Sequence, residues 1–138
     1  MKKLLLLLLT SVMLLAASCS SDDNNEEIIY DEVKGYLTNL ESVKHGLQGS
    51  WEDVVLIQNP DRSYELRFSK NTVYSVYKQS DNNDEKRTEP YSVLLENGKF
   101  YFESTIGNGN TMEIYTLNRT SLIFYDEEYD RLETYSRK

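Results

Sequence analysis

The hydrophobic pattern of this chain changes period once beyond residue 27. From Ile28 to His45 the apolar residues Ile29, Val33, Tyr36, Leu37, Leu40 and Val43 recur at three- and four-residue steps, and Leu47 continues the stripe. That spacing predicts an amphipathic helix over 28–46, about 27 Å long. Asn24 or Asn25, with the glutamates that follow, can cap its start, and Gly46 is placed to end it. His45 falls in the last turn, where a partial positive charge is welcome. Gly35 inside the pattern costs about 1 kcal/mol relative to alanine, so the helix depends on packing against something. A helix lying on a membrane surface would want a lysine-rich polar face, whereas Glu32, Lys34, Asn39, Glu41 and Ser42 make a mixed one.

After Leu47 the period drops to two, and Tyr, Val, Phe and Thr dominate. Strands are predicted at Ser50–Gln58, Tyr64–Ser69, Thr72–Gln79, Thr88–Glu96, Lys99–Glu103, Thr111–Asn118, Ser121–Asp126 and Arg131–Arg137. Turn chemistry separates them at Asn59-Pro60-Asp61, Lys70-Asn71, Ser80–Glu85, Asn97-Gly98, Gly107–Asn110, Arg119-Thr120 and Glu127–Asp130. Asn97-Gly98 between two alternating runs is the strongest hairpin signal among these. All the connections are short, so consecutive strands pair antiparallel in up-and-down order. Eight such strands leave two unpaired edges unless first and last meet. The expected fold is therefore an all-β, eight-stranded antiparallel up-and-down barrel over 47–138, preceded by one helix. Closure sets Tyr135–Arg137 beside Gly49–Trp51.

The first 27 residues follow neither pattern. Lys2 and Lys3, an apolar run from Leu4 to Ala17 and the small residues Ala16, Ala17 and Ser18 read as a leader over 1–18. A bilayer-spanning helix needs roughly 20 apolar residues, more than this run supplies. The junction Leu15-Ala16-Ala17-Ser18-Cys19 resembles the lipobox of bacterial lipoproteins, with Ala16 where leucine is usual. That resemblance implies acylation of Cys19, the only cysteine of the chain, and hence a membrane partner reached through acyl chains such as palmitate. A single thiol makes no internal disulfide and would be a liability in an oxidising compartment, so anchorage gives it a use. Ser20–Glu27 is too polar to bury and reads, with Cys19, as a solvated tether reaching roughly 26 Å. Its serine and acidic start resembles the surface-export signal of Bacteroidota lipoproteins. The expected location is the outer membrane, facing the cell exterior.

Charge narrows the partners. Fifteen basic and 23 acidic residues give the whole chain −8, and without Lys2 and Lys3 the balance of 13 against 23 is −10. Such a surface repels nucleic acid and anionic membranes.

Gly49-Ser50-Trp51 at the start of the first predicted strand, with Arg137 closing the last, is similar to the Gly-x-Trp opening and late arginine of lipocalins. In that family the tryptophan plugs the closed end and the arginine packs over it. Residues 47–138 resemble the compact lipocalin-like domains of Bacteroidota lipoproteins also at Leu66-Arg67-Phe68, Tyr91-Ser92-Val93 and Leu117–Leu122. Two departures stand out: proper lipocalins are longer and carry their long helix after the barrel. The resemblance implies a binding module for a small apolar or amphipathic ligand. The alternative is a structural or protein-interaction lipoprotein, an inhibitor or accessory subunit of an envelope complex, with a side-chain-filled barrel and no ligand.

The inner face decides between them. Tyr64, Leu66 and Phe68 share one face against Glu65 and Arg67, and the same alternation turns Tyr91, Val93, Leu95, Phe100, Phe102, Met112 and Ile114 inward. The third and seventh strands are apolar on both faces, which leaves their orientation open. An eight-stranded barrel has roughly two dozen inward positions and is just wide enough to be filled or to hold one small ligand. The inward set is large and aromatic, so the expectation is a filled core with at most a shallow pocket at one mouth. Tyr64, Phe68, Tyr77, Tyr91, Phe100 and Phe102 are the candidate ligand contacts, and a cavity of about 300 Å³ or more would favour binding. Tyr101, Tyr115 and Tyr125 fall on the opposite faces and can form an exposed aromatic patch. The helix either covers that patch or caps one mouth.

Catalytic and metal chemistry is sparse. His45, the single histidine, has no cysteine or serine motif around it. Asp81–Glu85 and Asp126–Glu128 lack the glycine and bidentate spacing of a calcium loop. No zinc spacing, phosphate-cradling glycine loop or nucleophile elbow is present. Neither catalytic residues, a metal nor a cofactor is expected, and the role is expected to be non-enzymatic.

Overall fold

A computed structural model describes residues 26–57, 61–80, 84–104 and 111–138. The leader, Cys19, the tether up to Asn25 and the turn positions Asn59-Pro60, Asp81–Asn83 and Gly107–Asn110 lie outside the described residues. Helix α1 (Leu40–Leu47) leads into β1 (Gly49–Asp53), a one-turn helix α2 (Val54–Ile57), β2 (Arg62–Ser69), β3 (Thr72–Gln79), β4 (Glu85–Glu96), β5 (Lys99–Ser104), β6 (Thr111–Leu117), β7 (Ser121–Asp126) and β8 (Arg131–Arg137). The strands form a closed barrel in sequence order, every neighbouring pair antiparallel. At Asn97-Gly98 both residues take positive φ, +52° and +77°. Those angles match the twist of the flanking strands β4 and β5.

Closure occurs at the expected seam, with β1 two residues further along: Trp51 pairs with Arg137, Glu52 with Ser136 and Asp53 with Tyr135. The Lys138 backbone N–H donates to Ser50 O at 2.9 Å, and its ammonium meets Glu65 of β2 at 2.9 Å outside the seam. Gly49 opens β1 opposite Phe68 with φ of +108°, and Arg137 Nη1 lies 3.1 Å from where a Cβ would stand. A side chain there would be strained and would crowd the arginine.

The helix is shorter than its pattern suggests. Only Leu40–Leu47 is helical, whereas residues 26–39 run as an irregular strap across the end of the barrel. Two local competitors interrupt the stripe. The Asp31 carboxylate accepts the N–H groups of Val33 and Lys34, closing a turn, and Gly35 takes φ of +62° with its Cα against the Leu117 carbonyl, where a Cβ would come within 2.2 Å of the oxygen. Val33 consequently stands 94% exposed. The helix starts instead at Asn39, whose side chain accepts from Ser42 N–H at 2.8 Å. Gly46 does not end it but lies inside, leaving room for the Tyr36 ring, and Gln48 is the C-cap.

Three further corrections concern the strands. Val54–Ile57, expected to continue β1, is helical, with the Asp53 side chain accepting from Val55 N–H at 2.8 Å and turning the chain. β4 starts three residues earlier than expected, at Glu85. Leu95, expected inward, is half-exposed although its cross-strand partner Phe100 is buried in the core. In β6 a bulge makes Tyr115 an extra, exposed residue between Ile114 and Thr116.

Helix α1 packs against β4 and β6 and caps one mouth. Val43 and Leu47 are fully buried with Trp51, Leu117 and Leu122 beneath them. The last carbonyls of the helix, which have no intrahelical partner, are taken by side chains from the seam. Trp51 Nε1 donates to Leu47 O at 2.8 Å, and Arg137 donates to Gly46 O at 2.7 Å, Gln48 O at 2.8 Å and Arg119 O at 2.8 Å. The guanidinium stacks 4.2 Å from the Trp51 ring centroid.

Removing that fork strands three carbonyls, so Arg137→Ala is expected to lower the unfolding free energy by about 2–4 kcal/mol. Arg137→Lys, which keeps the charge without the planar fork, should lose more than half as much. Urea unfolding followed by the fluorescence of Trp51, the single tryptophan, measures both. A loss within about 0.5 kcal/mol of zero, the range of ordinary surface changes, would contradict the assigned role.

Candidate functional site

Cross-strand register orients the two strands that the sequence left open. Tyr77, Ser75 and Val73 of β3 face Tyr64, Leu66 and Phe68 of β2, so this row points inward, and in β7 Leu122, Phe124 and Asp126 do so. The interior then divides into two halves of different character. Beneath the helix, rings interlock in one continuous series: Tyr91 on Phe68 at 5.2 Å between centroids, Phe68 on Phe102 at 5.8 Å, Phe102 on Phe124 at 5.2 Å and Phe124 on Tyr135 at 5.9 Å. This half is filled by side chains, as expected.

The other half holds a cup of about 570 Å³ that opens at the far mouth. Leu66, Phe102 and Met112 form its floor, Tyr64 and Tyr135 its wall, and Asp53, Asp126, Arg131 and Glu133 its polar lining. The lining is polar at the mouth end because β1, β7 and β8 carry acidic or basic side chains on their inward rows there in place of apolar ones. Glu133 accepts from Arg131 Nη2 at 2.7 Å and from the Tyr135 hydroxyl at 3.1 Å. Asp126 is buried and accepts the N–H groups of Glu128 and Tyr129 at 3.1 and 3.3 Å, holding the β7–β8 turn.

This lining acts on the two wall tyrosines. Burial pushes the Tyr135 hydroxyl well above its ordinary range, and the charges of Glu133 and Asp53 push it the same way. Tyr64 is raised first by burial and then by Glu133 and Asp53, against a hydrogen bond with Ser75 and the opposing charge of Arg87.

Of the candidate contacts, Tyr64 and Phe102 line the cup, and Tyr77 stands half-buried on the inner face opposite Tyr64. Phe68, Tyr91 and Phe100 lie in the filled half, and the Tyr91 hydroxyl is committed to Lys70 O and Gln48 Nε2. The sequence reading missed Asp53, Asp126, Arg131, Glu133 and Tyr135. Only strand alternation could have signalled them: Arg131, Glu133 and Tyr135 share one face of β8, and Asp53 shares a face of β1 with Trp51. On the outer wall, Tyr115, Tyr125 and Leu132 with Lys99 and Glu113 border an open groove of about 440 Å³, which gives the exposed aromatic patch a definite place. Tyr101 adjoins it, paired with Glu113. His45 lies at the opposite pole in the last turn of α1, its ring 5.8 Å from that of Tyr36. Among the described residues no three His, Cys, Asp or Glu side chains are grouped to hold a metal ion. Comparison with known families, curated proteins and solved structures returns no match.

The raised Tyr135 hydroxyl has a consequence for stability. The unfolded chain releases this proton near pH 10 and the barrel retains it, so the contribution of Tyr135 is complete below about pH 10 and is lost as the pH rises further. Lys99 and Lys138, both raised by their carboxylate partners, act in the same direction in any variant that keeps them. Urea midpoints measured between about pH 9 and 11.5 should therefore fall less steeply for Tyr135→Phe than for the native chain. Parallel curves would remove Tyr135 as the source.

Proposed function

We propose that this chain is a lipid-anchored, outward-facing lipoprotein of the outer membrane whose barrel holds a small apolar or amphipathic molecule in its open half, without catalysing a reaction. The observation that carries the reading is the cup: about 570 Å³, with apolar floor and aromatic wall, it lies within the roughly 300–1,000 Å³ of small-molecule sites. Interlocked rings beneath it keep the floor from collapsing, so the space is available without rearrangement.

The anchor and the cup suit each other in placement. The strap that follows the tether is fixed to the helical pole: Ile29 N–H donates to Ser42 Oγ at 2.7 Å, Tyr36 N–H to Leu117 O at 2.8 Å, and Tyr30 lies 4.4 Å from the Arg119 guanidinium. An acylated Cys19 would thus hold the barrel by its closed end and leave the mouth turned to the medium. The groove at Tyr115, Tyr125 and Leu132 favours the second reading, in which the outer wall docks an envelope protein.

Native mass spectrometry of the full chain, extracted from the bacterium that makes it, separates the two. Ligand binding predicts added mass of a few hundred daltons that disappears in Met112→Trp, a substitution that fills the cup from its floor. An unliganded barrel recovered with an envelope protein, from native chain and variant alike, would replace the first reading with the second.

A further inference from the structure

The charges around the cup are unequal, and their pairing is more telling than their number. Among the described lining residues the charged side chains are Asp53, Asp126, Glu133 and Arg131, a formal balance of −2. Further out on the inward rows, Arg62 and Arg87 are matched by Glu85 and Glu89, so the balance does not change. Arg131, the one cation among the described lining residues, is engaged by Glu133 at 2.7 Å. A carboxylate ligand would have to share that guanidinium with Glu133 and would bring a negative charge into an already negative cup. A cationic ligand meets the reverse situation.

Two of the three acids are placed to receive it. Asp126 is buried in the β7–β8 turn, with two backbone N–H groups on one oxygen. Asp53, which accepts from Val55 N–H, and Glu133, which accepts from Arg131 and the Tyr135 hydroxyl, come from adjoining strands and flank Tyr135, the residue that pairs with Asp53 across the seam. Both bear on the Tyr64 and Tyr135 hydroxyls, which locates their combined field over the aromatic wall. Aromatic faces attract cations as well, and a protonated amine there would have both kinds of partner at one wall.

Resting on the reading of the cup as a ligand site, we infer that its occupant is an amphipathic amine: the ammonium group sits between Asp53 and Glu133 against the Tyr64 and Tyr135 rings, and the apolar body lies on Leu66, Phe102 and Met112. The selectivity is against fatty-acid-like anions.

Three probes that differ only at the head group test this: dansylcadaverine, its N-acetylated neutral form and a dansyl alkanoate of matched length. Each is titrated into the full chain in zwitterionic nanodiscs, with empty nanodiscs subtracted. The amine is expected to bind about tenfold more tightly than either other probe, the scale of one charge-assisted contact. The pair Asp53→Asn and Glu133→Gln, which keeps the acceptors for Val55 N–H and Tyr135, should remove that advantage and leave the acetylated probe unchanged. Trp51 fluorescence, at the far pole, verifies folding of the variant. Equal binding of all three probes, or preference for the alkanoate, would overturn the amine assignment and leave the cup standing as a site. If none binds, to native chain or to Met112→Trp, the cup itself is not a ligand site and both readings fall.

Discussion

One guanidinium organises this molecule. Arg137 lies over Trp51 and spreads its N–H groups across the carbonyls of Gly46, Gln48 and Arg119, so a single side chain touches the first strand, the end of the helix and the β6–β7 turn. Three separate problems meet there. A meander of strands has two edges to hide, a helix terminus has carbonyls to satisfy, and a barrel end has a hole to fill. Each alone could be solved in many ways, but the planar fork of arginine on an indole face solves them at one point. The sequence distance involved is large, Gly46 and Arg137 lying 91 positions apart, so this contact also fixes the register in which the whole sheet must close.

From that pole the interior fills upward and then stops. The rings from Tyr91 to Phe124 pack in contact with one another, and Tyr135 marks the level at which side chains change from aromatic to charged. The change is a property of individual strands: β8 reads Tyr135, Glu133, Arg131 towards the mouth, and β7 reads Phe124 and then Asp126. Charged residues at those heights cannot be drawn into a dry core, so the space between them stays open. A packed end and an open end are here the two halves of one barrel.

How much of this was legible beforehand depended on whether one residue's neighbours in sequence were also its neighbours in space. Asn97-Gly98, the alternation of Tyr64, Leu66 and Phe68, and the seam between Trp51 and Arg137 follow from turn chemistry, pleat and closure, which are local or topological rules, and they stand. The stripe from Ile29 to Leu37 has helical spacing as well, but Asp31 and Gly35 offered the backbone better local bonds, and the period lost. Val54–Ile57 failed similarly: β-branched residues suit a strand, yet Asp53 N-terminal to them caps a helical turn. The acids of the cup were hidden for another reason. Asp53 and Glu133 look like solvent-facing residues in their own strands, and only the pairing of β1 with β8 brings them to one wall.

The two poles also differ in how their strands are joined. At the helical pole the links are tight, Lys70-Asn71, Asn97-Gly98 and 118–120, while at the mouth they span 58–61, 80–84, 105–110 and 127–130. Among the described residues, the bonds that Trp51 and Arg137 make to seal the barrel all lie at the helical pole. Diversification, whether by mutation in nature or by grafting at the bench, is thus separated from assembly: the rim can be rewritten while the keystone at the opposite end stays as it is.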